Sequence, residues 1–151
     1  VQLNDLIYRI MHRYGFGEVP FISSVQSSDG ETQADDETKL DRRRIERILV
    51  NLLENARDHA DGATKVTLAS EGNNFTLAVH DAGPGVASSE RTQIFDRFAR
   101  GTASRNSKGS GLGLAIVSEH ARALHGAVHV EQSREGGSSF VITFPKNVGQ
   151  A

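Results

Sequence analysis

The sequence contains no cysteine, which excludes a disulfide framework and any metal site built on thiolates. Long hydrophobic runs are absent as well, since no apolar stretch approaches the roughly 20 residues that cross a lipid bilayer. The first residues also lack the charged and apolar segments of a signal peptide. These absences predict a soluble chain in a reducing compartment, without direct contact to a membrane.

An excess of positive charge is also missing. The formal net charge is -2, with 17 Lys and Arg against 19 Asp and Glu, so no general nucleic-acid-binding surface is expected. At 151 residues, of which 37% are hydrophobic, the chain is long enough for one globular domain over residues 1–151.

Apolar residues at helical spacing predict three main helices. The first ends near residues 15–17. The second is the longest, with Asp41 as its N-terminal cap and Gly62 near its end. The third follows a glycine-rich segment and stops at Gly126, and a shorter helix is expected around residues 90–98.

Alternating apolar and polar residues predict two antiparallel strand pairs. One pair flanks a turn at residues 72–74, and the other flanks Gly136 and Gly137. A short strand is also expected within residues 19–25. Helices and antiparallel strands in this order predict an α+β fold, in which helices cover one face of a sheet.

The glycine-rich segment "GSGLGLAIV" begins at Gly109 and leads directly into the third helix. It is not a dinucleotide-binding fingerprint, because Leu114 stands where the third glycine would be, and it is not a Walker loop. Bare backbone N–H groups before a helix suit a bound phosphate, although glycines also begin ordinary helices.

Two asparagines and an aspartate recur along one stripe of the long helix. Asn51, Asn55 and Asp58 follow i, i+4, i+7 spacing, beside the apolar face. Asparagine is a poor helix former, so two in one helix call for a reason. They either face solvent or offer amide oxygens to a cation such as Mg²⁺ that is shared with phosphates.

The stretch "HDAGPGV" lies at the end of a predicted strand. Asp81 either opens an ordinary turn or lies at the mouth of a pocket that accepts an adenine. In the second case the exocyclic amine of adenine donates to Asp81. Guanine offers an acceptor there instead, at a cost of about 1–3 kcal/mol.

A locally positive segment precedes the glycines. Between Asp96 and Gly109 there are four basic residues and no acidic one. Two aromatic side chains, Phe95 and Phe98, are expected to anchor it, and its small polar residues make it mobile. We interpret residues 96–110 as a lid that can place cations over phosphates.

These motifs together resemble those of a known family. In the ATP-binding domain of bacterial sensor histidine kinases, the N, G1, F and G2 boxes are similar to Asn51-x-x-x-Asn55, Asp81-x-Gly83-x-Gly85, Phe95-x-Arg97-Phe98 and Gly109-x-Gly111-x-Gly113. The resemblance covers roughly residues 1–146. It implies a two-layer α/β sandwich of the Bergerat type, with a mixed, mainly antiparallel sheet.

The resemblance also implies ATP and Mg²⁺ as cofactors. Asn55 would ligate Mg²⁺, and Asn51, Asn55 and Arg97 would be the catalytic residues. The residues it implies around the nucleotide are Asn51, Asn55, Asp58, His59, Asp81, Gly83, Gly85, Val86, Phe95, Phe98, Arg100, Lys108, Gly109, Ser110, Gly111, Leu112, Gly113 and Leu114.

The sequence departs from the family pattern after the second asparagine. Many members carry Lys followed by Tyr or His there, whereas this chain has Asp58 and His59. The usual cationic phosphate contact at position 58 is therefore missing. Arg57, Arg97 or Arg100 is a candidate to replace it.

Three activities are possible for such a domain. Gyrase-like and Hsp90-like ATPases carry Glu where this chain has Asn51, and an amide cannot act as a general base. The same residue argues against the serine kinases that bind sigma factors. The carboxylate of Glu54 lies off the stripe. A kinase is therefore favoured over a hydrolase, and a binding module that regulates a partner is the other alternative.

A histidine kinase needs a phosphoacceptor histidine, usually followed by an acidic residue. Of the six histidines only His80 is followed by an acidic residue, which is Asp81 itself, so we expect the acceptor on a separate helical hairpin of the full-length protein. The resemblance then implies a domain that is inactive toward histidine in isolation and monomeric. It also implies a downstream response regulator and a cytoplasmic location within a membrane-anchored sensor.

Overall fold

The computed structural model describes residues 3–25, 41–86, 89, 91, 93–95, 113–132 and 136–146. The helices are α1 (Leu3–Arg13), α2 (Arg42–Ala60) and α3 (Gly113–Ala123), and the strands are β1 (Phe21–Ser23), β2 (Ala63–Glu71), β3 (Asn74–Asp81), β4 (Ala127–Gln132) and β5 (Ser138–Pro145). A 3-10 turn at Gln93–Phe95 lies where a short helix was predicted. The predicted lid, residues 96–110, lies outside the described residues.

The strands described form one sheet in the order β1-β2-β3-β5-β4. Strand β1 pairs with β2 in parallel, and the other three pairings are antiparallel. Both predicted hairpins, β2–β3 and β4–β5, are present. The predicted mixed, mainly antiparallel sheet is therefore confirmed.

The hydrophobic core lies between the sheet and the helices. On β3, Phe75, Leu77 and Val79 face this core. Thr76 and His80 lie on the opposite face, because side chains alternate along a strand. The largest fully buried side chains are Ile7, Ile10, Met11, Ile45, Ile48, Leu49, Leu52, Leu53, Leu68, Leu77, Leu124 and Phe144. Removal of this apolar surface from water holds the two layers together.

The long helix α2 has the caps that its sequence predicts. The carboxylate of Asp41 accepts the backbone N–H groups of Arg43 and Arg44, at 3.1 and 3.4 Å. At the other end Asp61 adopts a left-handed conformation with φ 60, and the N–H of Gly62 donates to a carbonyl in the last turn. These caps fix where α2 begins and ends.

Polar side chains join α2 to both neighbouring helices. The hydroxyl of Tyr14, just after α1, donates to Glu46, and this hydrogen bond raises the pKa of Tyr14. On the other side, Nη1 of Arg44 lies 3.1 Å from Nδ1 of His120 on α3. Partial burial, followed by the positive charges of Arg44 and Arg47, lowers the pKa of His120. His120 therefore accepts the Arg44 hydrogen bond in its neutral form.

Within the described ranges, none of the helices is long and apolar enough to span a lipid bilayer.

Candidate functional site

The first asparagine of the α2 stripe lies at the contact between α2 and α3. The Nδ2 group of Asn51 donates to the carbonyl of Arg47 at 2.7 Å, which fixes the amide against its own helix. Its Oδ1 atom faces Gly113, where an added Cβ atom would lie 3.4 Å away. The start of α3, including Gly113 and the half-buried Leu114, therefore lies beside the middle of α2.

Asn55, one helical turn further on, is half-buried. In the described part of the chain, its side-chain amide has no hydrogen-bond partner, so both of its polar atoms are available to a ligand. Asp58 is exposed, and His59 is half-buried. The predicted roles of these three residues toward a nucleotide remain predictions.

Arg57 points toward the end of α1. Its guanidinium carbon lies 5.8 Å from the centre of the Phe16 ring, and its Nε lies 3.5 Å from Oδ1 of Asp58. The contact with Phe16 holds Arg57 on the side of α2 that faces the α1–β1 connection. This position does not favour Arg57 as the replacement for the missing lysine. The other two candidates, Arg97 and Arg100, lie outside the described residues.

Asp81 is the last residue of β3, and only 3% of its surface is exposed. Its Oδ1 atom accepts two backbone N–H groups, from Gly83 at 3.0 Å and from Ser138 at 3.1 Å. The bond to Gly83 forms the turn that the sequence allowed, but the bond to Ser138 comes from β5. Oδ2 has no hydrogen-bond partner among the described residues. A buried carboxylate with one such oxygen can accept a donor from a ligand.

The loop after Asp81 packs against the end of α2. A Cβ atom at Gly83 would overlap Cβ of Ala60 and lie 2.9 Å from its Cα. Gly85 has φ +80, a left-handed conformation that glycine adopts without strain. The carbonyl of the half-buried Val86 accepts Nε of Arg91 at 3.2 Å. The loop is thus held at both of its ends.

Three residues of this site were missed by the sequence reasoning. A Cβ atom at Gly137 would overlap the carbonyl oxygen of Asp81 and lie 2.7 Å from Cα of Ala82. Ser138 provides an N–H donor to Asp81, and Arg91 holds the loop at Val86. The doubled glycine before β5 was a signal in the sequence, but it was interpreted as a hairpin turn.

Phe95 packs on the sheet, and its role as an anchor of the lid remains a prediction. Its ring is half-buried and meets Phe140 of β5 edge to face, with centroids 6.3 Å apart. The remaining predicted site residues lie outside the described residues; they are Arg97, Phe98, Arg100, Lys108, Gly109, Ser110, Gly111 and Leu112.

The described residues thus form two ends of one candidate site along α2. Near Ala60, the helix meets the loop that begins at Asp81, and near Asn51 it meets the start of α3. Nine residues of helix separate these two positions, which corresponds to roughly 14 Å. Asn55 lies between them. A buried acceptor therefore occupies one end of the site, and a helix N-terminus occupies the other.

Comparison with known proteins identifies the family. Residues 40–148 match the model for histidine kinase-, DNA gyrase B- and HSP90-like ATPases. The chain belongs to this ATPase family. Its matched region contains α2, the Asp81 loop, α3 and every strand described except β1.

Within this ATPase family, the chain is similar to sensor histidine kinases, which confirms the predicted resemblance. The signal transduction histidine-protein kinase AfsQ2 of Streptomyces coelicolor is 38% identical over 110 residues, or 72% of this chain. The match spans only 21% of the length of AfsQ2, so most of that kinase has no counterpart in this chain.

Solved structures of histidine kinases share the fold. The catalytic domain of histidine kinase ThkA has a TM-score of 0.75 at 24% identity, with 100% of this chain and 97% of that chain covered. Full-length ShkA in complex with AMPPNP has a TM-score of 0.65 at 26% identity and covers 96% of this chain, which matches 30% of ShkA. The predicted α+β sandwich of the ATPase family is confirmed.

Proposed function

We propose that this chain binds Mg²⁺-ATP and donates the γ-phosphoryl group to a histidine on a separate helical hairpin of the same full-length protein. The observation that carries the proposal is the buried carboxylate of Asp81, with one oxygen bound to two backbone N–H groups. Its other oxygen has no partner in the described ranges. ShkA, which shares the fold of this chain at 26% identity, is known in complex with the ATP analogue AMPPNP.

Adenine would bind at the Asp81 end. Its exocyclic amine would donate to Oδ2 of Asp81, while Oδ1 stays bound to Gly83 and Ser138. Gly83 and Gly85 would let the base approach the backbone of the loop. Guanine offers an acceptor to the same oxygen, which would cost about 1–3 kcal/mol, or roughly ten- to a hundredfold in affinity.

The phosphates would bind at the start of α3. Gly113 and Leu114 lie there beside Asn51, and the partial positive charge of a helix N-terminus favours an anion. We propose that residues 109–112 extend this cradle with backbone N–H groups. We also propose that Arg97, Arg100 and Lys108 place their charges over the phosphates when residues 96–110 close.

Asn55 would hold Mg²⁺. Its half-buried amide oxygen is a hard neutral ligand, which suits this cation. Among the described residues no group of three His, Cys, Asp or Glu side chains can form a metal site. Phosphate oxygens and waters would supply the other ligands. When bound, Mg²⁺ would neutralise charge that develops on the phosphates during transfer.

The residues around the phosphate end favour transfer over hydrolysis. Asn51 occupies the position of the catalytic glutamate in the hydrolases, and its amide is bound to the carbonyl of Arg47. It cannot take a proton from water. Asn51, Asn55 and Arg97 would instead position the γ-phosphoryl group for an external nucleophile. His59 and Asp58 would lie beside the nucleotide without taking part in the transfer.

His80 does not suit the role of acceptor. Both of its ring nitrogens lie within hydrogen-bond distance of hydroxyl groups, those of Thr67 and Ser139. The acceptor would therefore come from the separate hairpin, and the isolated domain would be inactive toward histidine. We further propose that residues 1–151 form a single monomeric domain, cytoplasmic within a membrane-anchored sensor that passes its phosphate to a response regulator.

Calorimetric titration of AMPPNP, with and without Mg²⁺, tests the cofactor part of this proposal. We expect binding that Mg²⁺ strengthens in the wild type, and no strengthening by Mg²⁺ in Asn55→Ala. The matched control is Asn74→Ala, an exposed asparagine at the start of β3, which should behave like the wild type. Failure of the wild type to bind would favour the alternative of a regulatory binding module.

Radiolabelled ATP tests the transfer. The full-length protein should acquire acid-labile label on a histidine, whereas the isolated domain should neither label itself nor release phosphate at a substantial rate. Rapid phosphate release by the isolated domain would favour the hydrolase alternative and contradict the proposed kinase.

A further inference from the structure

A histidine ring joins three strands of the sheet beside the candidate site. On β3, Nε2 of His80 lies 2.9 Å from Oγ1 of Thr67 on β2, and Nδ1 lies 2.8 Å from Oγ of Ser139 on β5. Side chains alternate along a strand, so this polar bridge lies on the sheet face opposite the core and Asp81. It does not reach the nucleotide position itself.

The bridge is adjacent in sequence to the two residues that meet in the site. His80 precedes Asp81, and Ser139 follows Ser138, whose N–H donates to the Asp81 carboxylate. His80 and Ser139 also form the last pair in the register between β3 and β5. Any movement of one strand end against the other would therefore act directly on the bond between Asp81 and Ser138.

The backbone pairing of β3 with β2, the neighbour on the side away from β5, is irregular next to His80 and Asp81. The register between β2 and β3 shifts between Lys65, which pairs with His80, and Ala63, which pairs with Asp81. Oγ1 of Thr64, the residue between them, donates to the carbonyl of His80 at 3.2 Å. At this level the regular backbone pairing of β3 with β2 is interrupted, and its pairing with β5 ends. The side chains of Thr64, Thr67 and Ser139 provide hydrogen bonds to His80 there.

We propose that His80 is a positioning residue for recognition of the base. By tying β2 and β5 to β3, it keeps Oδ1 of Asp81 on the Ser138 N–H group and leaves Oδ2 directed at the ligand. This inference rests on the proposed function, because it assumes that Asp81 binds adenine. His80 acts through Asp81 and touches neither the nucleotide nor the metal.

The variant His80→Phe tests the inference, since it keeps a planar ring and removes both hydrogen bonds. We expect the preference for AMPPNP over GMPPNP, measured calorimetrically with Mg²⁺, to fall about three- to tenfold, the loss of one well-placed hydrogen bond. The Ser138 amide resonance should also move in an NMR spectrum. Thr76→Val, on the same face of β3, is the matched control and should change neither quantity.

Two single-bond variants make the test independent of how well His80→Phe folds. Ser139→Ala and Thr67→Val each remove one arm of the bridge, and each should lower the preference by a smaller factor than His80→Phe. If the variants bind both nucleotides more weakly in the same ratio, or if only their thermal stability falls, the bridge is structural and the inference is wrong.

A double-mutant cycle separates this inference from the proposed function. In an Asp81→Asn background, His80→Phe should lower the base preference no further, because its effect passes through Asp81. If Asp81→Asn keeps the full preference for adenine, the proposed base recognition is wrong, and the role of His80 falls with it. If Asp81→Asn abolishes the preference and His80→Phe leaves it intact, only the positioning role is wrong.

Discussion

The carboxylate of Asp81 accepts the backbone N–H of Ser138 at 3.1 Å, although 57 residues separate them in sequence. This bond joins the end of β3 to the start of β5 in the interior of the protein. Oδ1 of Asp81 is bound to backbone N–H groups, and Oδ2 has no hydrogen-bond partner in the part of the chain that the structure describes. The strand ends and the proposed base-binding position therefore share the carboxylate of Asp81.

Gly137, the residue before Ser138, should be required for AMPPNP binding, as Asp81 is. Gly137→Ala would place Cβ against the carbonyl oxygen of Asp81, so the strand ends must separate. We expect a loss of about 1–3 kcal/mol in the free energy of unfolding, measured by urea denaturation, and a loss of AMPPNP binding. Gly72→Ala is the control, because it places Cβ in open space at a left-handed turn. It should lower stability but keep nucleotide binding, and equal loss of binding in both variants would contradict the site.

The contact between Gly83 and Ala60 should show coupling. Gly83→Ala would push the Asp81 loop away from α2, because its Cβ overlaps that of Ala60. We expect weaker AMPPNP binding in this variant and partial recovery in the double variant Gly83→Ala, Ala60→Gly. Recovery would be incomplete, since Cα of Ala60 still lies 2.9 Å from the new Cβ. If the loss of binding free energy in the double variant equals the sum of the losses in the two single variants, this contact does not shape the loop.

The bond between Arg44 and His120 should depend on pH. Partial burial and the charges of Arg44 and Arg47 lower the pKa of His120 from 6.5, against weaker opposing effects of Asp41 and Glu119. Near and below 6.5 the unfolded chain then binds more protons than the folded one. The contribution of neutral His120 to the free energy of unfolding is therefore fully present above the pKa that His120 has in the unfolded chain. It is lost as the pH falls through the lower pKa that His120 has in the folded protein.

Thermal unfolding of the wild type and His120→Gln measures this effect. Glutamine can still accept a hydrogen bond from Arg44 but does not titrate. The melting temperature of the wild type minus that of the variant should therefore decrease as the pH is lowered from about 8 to about 5.5. A difference that stays constant or grows over this range would contradict the lowered pKa of His120.

Local patterns predicted the elements well. The apolar spacing of α2, its cap at Asp41 and its end near Gly62 follow from the chemistry of a few consecutive residues, and all three are confirmed. The two hairpins are local as well, since the two strands of each pair are close in sequence. The pairing of β3 with β5 is not local, because the whole of α3 and β4 lies between them in sequence.

The candidate site was predictable only in part, for the same reason. Asp81 could be identified because it ends a strand and precedes glycines, but its bond to Ser138 depends on the order of the strands. Gly137 was missed because a glycine in a turn and a glycine against a carbonyl look the same in sequence. The direction of Arg57 likewise depends on Phe16, a residue from another part of the fold.

The most direct test of the account is the affinity of wild type and Asp81→Asn for AMPPNP and GMPPNP, measured by calorimetry with Mg²⁺. We predict that the wild type prefers the adenine nucleotide by roughly ten- to a hundredfold. The variant should lose most of this preference while it remains folded. Equal affinity of the wild type for both nucleotides, or an unchanged preference in Asp81→Asn, would contradict the proposal that this carboxylate recognises the base.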